Sequence, residues 1–280
     1  MYNKYFIFLS LFFLFAFSAN DLSAQRKKKK DPLEDLQLYI FKADWSAAKD
    51  WNDCTYFMQM NKESDSLFVC RYYHKLGPMV RQESYKDSDL TIIEGRFCWY
   101  NSEGYLDSTG WVSNKKKDGY WEYYKDNKLV LSIRYDNGKF LHKTDYINKL
   151  FYFQDGTSVS LEEKIKADSI RIDSFKTVQV ESKFKQGQQG WMSYIQRNLK
   201  TPDRLMNALG LGTHTAIVVF MVDKTGAIDR DIYLEKSVEW SGDRTVLQLI
   251  KYSPKWEPAY QNNEAVFYKM KQSLSFQVSD

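Results

Sequence analysis

Histidine and cysteine are scarce in this 280-residue chain, with three of each. His74, His142 and His214 stand far apart, and no two have the spacing that zinc ligands share. Cys54, Cys70 and Cys98 have no histidine partner at ligand or triad spacing. No nucleophile elbow, phosphate-cradling glycine loop or zinc signature occurs. These absences point away from an enzyme, and the chain is expected to carry no metal, no cofactor and no catalytic residue. Only 5 Pro and 13 Gly are present, which argues against long disordered stretches and leaves no proline-rich spacer. What the chain has in quantity is aromatic: 20 Tyr, 18 Phe and 8 Trp make up 16% of it, a share that favours strands.

The length predicts two folded parts with a leader and a connector. Lys4, the apolar run Tyr5 to Ser18 and the small residues around Ala24 read as a signal peptide over 1–24, cleaved after Ala24. The run is shorter than the roughly 20 apolar residues of a membrane span. The expected location is therefore the periplasm or the exterior, with an uncleaved inner-membrane anchor as the alternative. No cysteine near Ala24 offers a lipid attachment point. The 40 basic and 36 acidic residues give +4. Setting aside Lys4 and Asp21 in the leader, and the five basic residues of the tail at 25–30, leaves 34 against 35. A neutral exported body with one basic tail predicts no nucleic-acid partner. Outside the cytoplasm the three cysteines allow one disulfide with one thiol over, or serve as buried apolar residues.

A repeat runs from about 71 to 140. Gly95-Arg96-Phe97-Cys98-Trp99-Tyr100 aligns with Gly119-Tyr120-Trp121-Glu122-Tyr123-Tyr124, a period of 24 residues, and Leu106 and Trp111 align with Val130 and Tyr135. Each unit reads as a glycine turn and an aromatic strand, then a polar turn and a second strand. One such hairpin cannot bury its aromatic face alone, so consecutive hairpins are expected to join in a meander over 31–160. The motif resembles MORN-type repeats. Trp99, Tyr100, Trp121, Tyr123 and Tyr124 form the candidate aromatic face, either core or a glycan- or protein-binding surface. Leu150 to Ser160 adds a hairpin around Asp155-Gly156, and the charged stretch 161–177 reads as a connector, partly helical.

Residues 178–280 predict an α+β domain with helices on a three-stranded antiparallel sheet. The expected order is helix, helix, strand, strand, helix, strand. Trp191 to Leu199 has helical spacing, and Pro202 opens a second short helix that Gly210 to Gly212 ends. Ala216 to Val222 is a strand apolar on both faces, Asp223 to Gly226 a tight turn, and Ala227 to Val238 the return strand. Ser241 is expected to cap a helix that carries Asp243 in its first turn, where the dipole favours an acid, and Val246, Leu247, Leu249 and Ile250 on its buried face, and Pro254 stops it. Val266 to Val278 reads as one last long strand.

Three segments carry a further resemblance: Asn198-Leu199-Lys200 before Pro202, Val218 to Gly226, and Ser253-Pro254-Lys255-Trp256-Glu257-Pro258. Together they resemble the TonB C-terminal domain family over about Val178 to Val278. The chain departs from that family at Gln186-Gly187, where paired glycines are usual, and at Lys185, where a proline is common. The resemblance implies a non-catalytic module that binds a protein, such as a TonB-dependent outer-membrane receptor, by adding one of its segments beside the last strand. By that implication the recognition surface is the edge of Val266 to Val278, with Phe267, Lys269 and Lys271 pointing outward. The function expected is a periplasmic protein-interaction module. The alternatives are a membrane-anchored energy transducer for outer-membrane transport and a glycan-binding repeat protein. Neither the partner's identity nor an oligomeric state is legible.

Overall fold

A computed structural model describes residues 38–172, 180–229 and 231–279. The leader, the basic tail, the start of the repeat region to 37 and the connector segment 173–179 lie outside the described residues. Residues Leu36–Asp280 form one compact unit. Among the described residues, no helix is long and apolar enough to cross a membrane.

Eleven strands follow one another in chain order as a single antiparallel meander. They are β1 (Leu38–Phe41), β2 (Tyr56–Ser64), β3 (Leu67–His74), β4 (Met79–Tyr85), β5 (Gly95–Tyr100), β6 (Leu106–Ser113), β7 (Lys116–Lys125), β8 (Lys128–Asp136), β9 (Lys139–Asp145), β10 (Leu150–Tyr152) and β11 (Ser158–Ser160). Two-residue turns at Asn114-Lys115, Asp126-Asn127 and Asn137-Gly138 join the central strands, with both residues at positive φ. That turn matches the strand twist, and short polar residues and glycine accept its backbone most readily. The sheet extends well beyond the repeat at both ends. A backbone ladder needs only an alternating pattern, so neighbouring hairpins add on without repeating the motif.

The two faces of the sheet differ. Phe97, Val112 and Trp121 form one buried cluster, joined by Ile93, Trp99, Tyr123 and Tyr135, and Met58, Cys70 and Tyr72 form a second with Phe41 and Trp45. Gly110 makes room there, because a Cβ at this position would fall inside the Trp121 ring. On the opposite face Phe57 and Tyr73 are fully buried and stack at 5.6 Å; burying a ring of this size contributes about 1.5–3 kcal/mol. All three cysteines are buried and free, so no disulfide joins them.

The stretch expected as a connector holds α1 (Leu161–Ile172). Ser160 and Glu163 form a reciprocal capping box, each backbone N–H donating to the other's side chain at 3.1 Å. The helix lies against the end of the meander, where Lys164 Nζ sits 4.9 Å from the Phe151 ring centre.

The C-terminal part comprises β12 (Lys183–Phe184), α2 (Gly187–Asn198), α3 (Asp203–Leu209), β13 (Gly212–Val222), β14 (Tyr233–Lys236), α4 (Trp240–Lys251), β15 (Trp256–Glu257), β16 (Ala259–Gln261), β17 (Glu264–Val266) and β18 (Tyr268–Val278). A three-stranded sheet has the order β14-β13-β18, with short ribbons β12-β15 and β16-β17 beside it. Trp256, from the extended corner, meets Phe184, Trp191 and Phe220 at ring separations of 5.3–5.4 Å.

Four details differ from the sequence reading. Pro202 is the residue before α3 and not its first residue. The return strand is only Tyr233–Lys236 plus a bridge at Ile228, because Asp231 leaves the ladder to pair with Arg96 of the meander. Ser241 lies inside α4; Glu239 caps that helix, its carboxylate accepting from Ser241 N at 2.8 Å. An acid at a helix N-terminus also complements the dipole. Finally, Val266 to Val278 is not one strand: β17 pairs with β16, β18 pairs with β13, and the chain changes partner at Phe267.

Candidate functional site

In a three-stranded sheet two strands are edges, and here the two edges have different surroundings. The β14 edge meets the meander. Tyr105 bridges Lys236, Ser237 N donates to Gly104 O at 2.8 Å, and Tyr100 Oη donates to Leu234 O at 2.9 Å. On the other side, β18 pairs with β13 without a break from Val222↔Tyr268 to Gly212↔Val278. No strand is paired with its outer side among the described residues. Eleven residues at about 3.4 Å each present roughly 37 Å of unpaired backbone donors and acceptors.

Side chains along β18 alternate. Leu274, Phe276 and Val278 are buried, and the Gln272 Oε1 accepts from Trp191 Nε1 at 3.0 Å, fixing the strand to α2. Lys269, Lys271, Ser273, Ser275 and Gln277 are exposed. Thr213 Oγ1 donates to Gln277 Oε1 at 2.6 Å, and the hydroxyls of Thr215 and Ser275 lie 2.8 Å apart, so this part of the face is a polar ladder.

The three edge residues singled out in the sequence are not equivalent. Lys271 pairs with Glu235 of β14, and Lys269 Nζ lies 3.9 Å from Glu122 of β7. Both lysines remain about half exposed, and such surface pairs contribute about 0–1 kcal/mol. They face neighbouring strands of this chain, so an incoming strand meets them only at their flexible tips. Phe267 stands apart from the strand, half exposed, as are Val180 and Tyr260, which pair with each other beside β17. These apolar side chains lie near the start of β18, and the hydroxyl ladder lies towards its end.

The aromatic repeat residues divide between the two faces of the meander. Trp99, Trp121 and Tyr123 belong to the cluster with Phe97, the rings of Trp99 and Trp121 being 6.2 Å apart. Lys117 Nζ lies 4.2 Å above the Trp121 ring. Tyr100 and Tyr124 lie on the side of the C-terminal part, where burial pushes both phenols well above their ordinary range. Tyr124 Oη donates to Glu122 Oε2 at 3.0 Å. The five rings are thus partly stacked on one another and not gathered as one platform.

Among the described residues, no group of three or more His, Cys, Asp or Glu is placed to hold a metal ion. His214 lies 3.1 Å from the Gly210 carbonyl. His142 packs against Phe151 at 5.1 Å, and burial first, then nearby Lys164 and Arg134, lowers its pKa. Burial pushes the Cys98 and Cys70 thiols up to about 11 and about 12, the direction that keeps them protonated and unreactive.

The most concentrated electrostatics lie where the β3–β4 and β5–β6 turns meet α3 and α4. Arg204 Nε donates to Glu239 Oε1 at 2.7 Å, and Ser237 Oγ accepts from Met79 N at 2.7 Å and donates to Asp243. Burial pushes the Asp243 carboxyl up to about 7. The sequence reading treated Asp243 only as a first-turn acid and passed over Glu239. The available signal was two acids, Glu239 and Asp243, in the otherwise apolar or small run Val238 to Asp243, a pattern that puts charge where a core is forming.

No protein-family model matches the chain, and no curated protein or solved structure matches it either.

Proposed function

We propose that this chain is a non-catalytic, exported protein-interaction module whose C-terminal part is a TonB-type domain that takes an extended segment of a partner protein as an added strand beside β18. The supporting observation is the asymmetry of the small sheet. One edge lies against the meander and the other offers eleven residues of free backbone. Backbone hydrogen bonds supply affinity in this mode, and pockets for alternate side chains supply selectivity. Phe267, Val180 and Tyr260 offer apolar contacts at one end, and Ser273, Ser275 and Gln277 offer polar ones further along. An outer-membrane receptor segment is the partner that the sequence resemblance suggests, with the MORN-like meander as the body that carries the domain.

The test is hydrogen exchange with the mature full chain and a partner cross-linked to it in the periplasm. Binding by strand addition protects alternate amides of Tyr268–Val278, and N-methylation of alternate residues in the bound segment abolishes it. Protection elsewhere with β18 unchanged would remove this reading. Sequencing the N-terminus of the exported protein separates it from the anchored transducer: a chain beginning near residue 25 has lost the anchor that energy coupling requires.

A further inference from the structure

A cleft of about 910 Å³ lies between the face of β2–β5 and the side formed by α4 and the β13–β14 connection. Its size is within the range of small-molecule sites, roughly 300–1,000 Å³. Six lysines and arginines line it against four carboxylates. The pairing among these groups decides what the cleft attracts.

Two guanidiniums stand on the sheet face of the cleft. Arg96 is neutralised: Nε donates to Asp231 Oδ1 at 3.0 Å and Nη2 pairs with Oδ2 of the same carboxylate. Arg71 is not. Its side chain is only 12% exposed, and Nε donates to Gln82 Oε1 at 3.0 Å. Nη1 lies 3.8 Å from Glu63, beyond hydrogen-bond distance, and Glu63 is engaged by Lys251 through its other oxygen. Gln82, itself 2% exposed, orients the Arg71 fork from β4. Two cations, Arg71 and Lys251, thus share one carboxylate, which leaves this corner of the cleft with an excess positive charge, and a bidentate oxyanion is the best partner for a guanidinium.

The rest of the lining agrees in sign. Lys86 and Arg244 are exposed on the cleft and have no carboxylate partner among the described residues. Glu94 accepts from Asn114 N at 2.9 Å, and Asp231 and Glu63 hold the pairs already named. Asp229 also lines the cleft, and six cations against four carboxylates leave the lining with a net positive charge. Trp111 and Trp240 add aromatic walls, with Trp240 fixed by its Nε1 donating to Gln59 Oε1 at 2.8 Å.

We propose that this cleft binds a small organic anion, carboxylate- or phosphate-bearing, whose oxyanion docks on the terminal nitrogens of Arg71. The site lies apart from the β18 edge, so it stands or falls independently of strand addition.

The test uses the mature full chain with citrate and inorganic phosphate as probes, read by calorimetry and by tryptophan fluorescence. The proposal expects saturable binding of at least one probe, weakened tenfold or more by Arg71→Gln at a temperature where that variant is fully folded. Arg81→Gln, on the opposite face, leaves binding unaltered. Preference for citrate assigns a carboxylate ligand, and preference for phosphate assigns a phosphate ester. If Arg71→Gln does not fold, Glu63→Gln decides: removing the competing carboxylate should tighten binding severalfold, and unchanged or weaker binding overturns the proposal. Absence of saturable binding of both probes up to roughly 10 mM, where binding free energy is below about 3 kcal/mol, also overturns it. So does Arg71→Gln binding as tightly as the unmodified chain.

Discussion

Arg204 and Glu239 form an ion pair, Nε to Oε1 at 2.7 Å, with side chains 7% and 1% exposed. The same guanidinium donates from Nη2 to the Lys75 carbonyl at 2.6 Å, and Glu239 caps α4. One arginine thus ties α3, the start of α4 and the β3–β4 turn of the meander. Removing the arginine leaves the Glu239 carboxylate buried without this counter-ion. Arg204→Met should therefore lower unfolding free energy by about 3–5 kcal/mol, measured by denaturant titration of the full chain. A loss below about 1 kcal/mol would mean that the pair is solvated in solution.

Asp243 makes stability depend on pH in an unusual direction. Burial raises its carboxyl from 3.8 to about 7, and nearby Glu239 adds to this. Hydrogen bonds from Ser237, Val238 N and Tyr73 act the other way. A group whose pKa is higher in the fold than in the unfolded chain favours the fold when protonated. Its contribution is complete below about pH 4 and is lost as pH rises through about 7, a change on the order of 4 kcal/mol for three units. His142, with its pKa lowered, acts in the opposite sense over part of that range, so the informative quantity is a difference. Asp243→Asn should remove a downward slope in stability between about pH 4 and pH 7. Equal slopes for the two proteins would show that Asp243 does not titrate there.

How far the fold could be read in advance depended on what each segment's neighbours are. Strands, turns and the order of helices and strands in the C-terminal part are local, and the alternation of residues such as Leu274, Phe276 and Val278 carries them directly. What the sequence did not disclose arises from contacts between distant residues. Asp231 abandons the return strand for Arg96, 135 positions away. Glu239, not Ser241, caps α4, and Arg204 neutralises it from α3. Trp99, Tyr100, Trp121, Tyr123 and Tyr124 were legible as one motif, but a period of two along each strand sends them to opposite faces. The aromatic share of the chain was thus a reliable sign of strands and a poor guide to which rings stay accessible.

The turn at Gly104 tests how closely the meander meets the C-terminal part. Its φ is 81°, and a Cβ there would press on the Ser237 carbonyl and stand 2.7 Å from Pro78 Cβ. Gly156 has a similar φ of 87°, with nothing within 4 Å of a built Cβ. Positive φ alone costs an alanine about 1 kcal/mol. Gly156→Ala should show that loss and little more. Gly104→Ala adds a backbone collision at the Ser237 N–H to Gly104 O bond, so its loss should exceed that of Gly156→Ala by at least about 2 kcal/mol in the same denaturant titration. Equal losses would mean that the two parts separate readily at this turn.

The free edge of β18 predicts a pattern in the unbound protein. In an antiparallel edge strand successive N–H groups point alternately to the neighbouring strand and to the open side. Those facing β13 are held by a ladder that runs unbroken for eleven residues, and those facing outward have only solvent. Amide exchange along Tyr268–Val278 should therefore alternate, protected and unprotected, and Ser273, Ser275 and Gln277 should share one rate class because they are two residues apart. At Tyr268 and Lys269 the ladder ends and protection should fade for both classes. A chain that instead protects every amide of β18 at high concentration and loses half of that protection on dilution has paired this edge with a second copy. Such a chain would still be using the edge for strand addition, with itself as the partner.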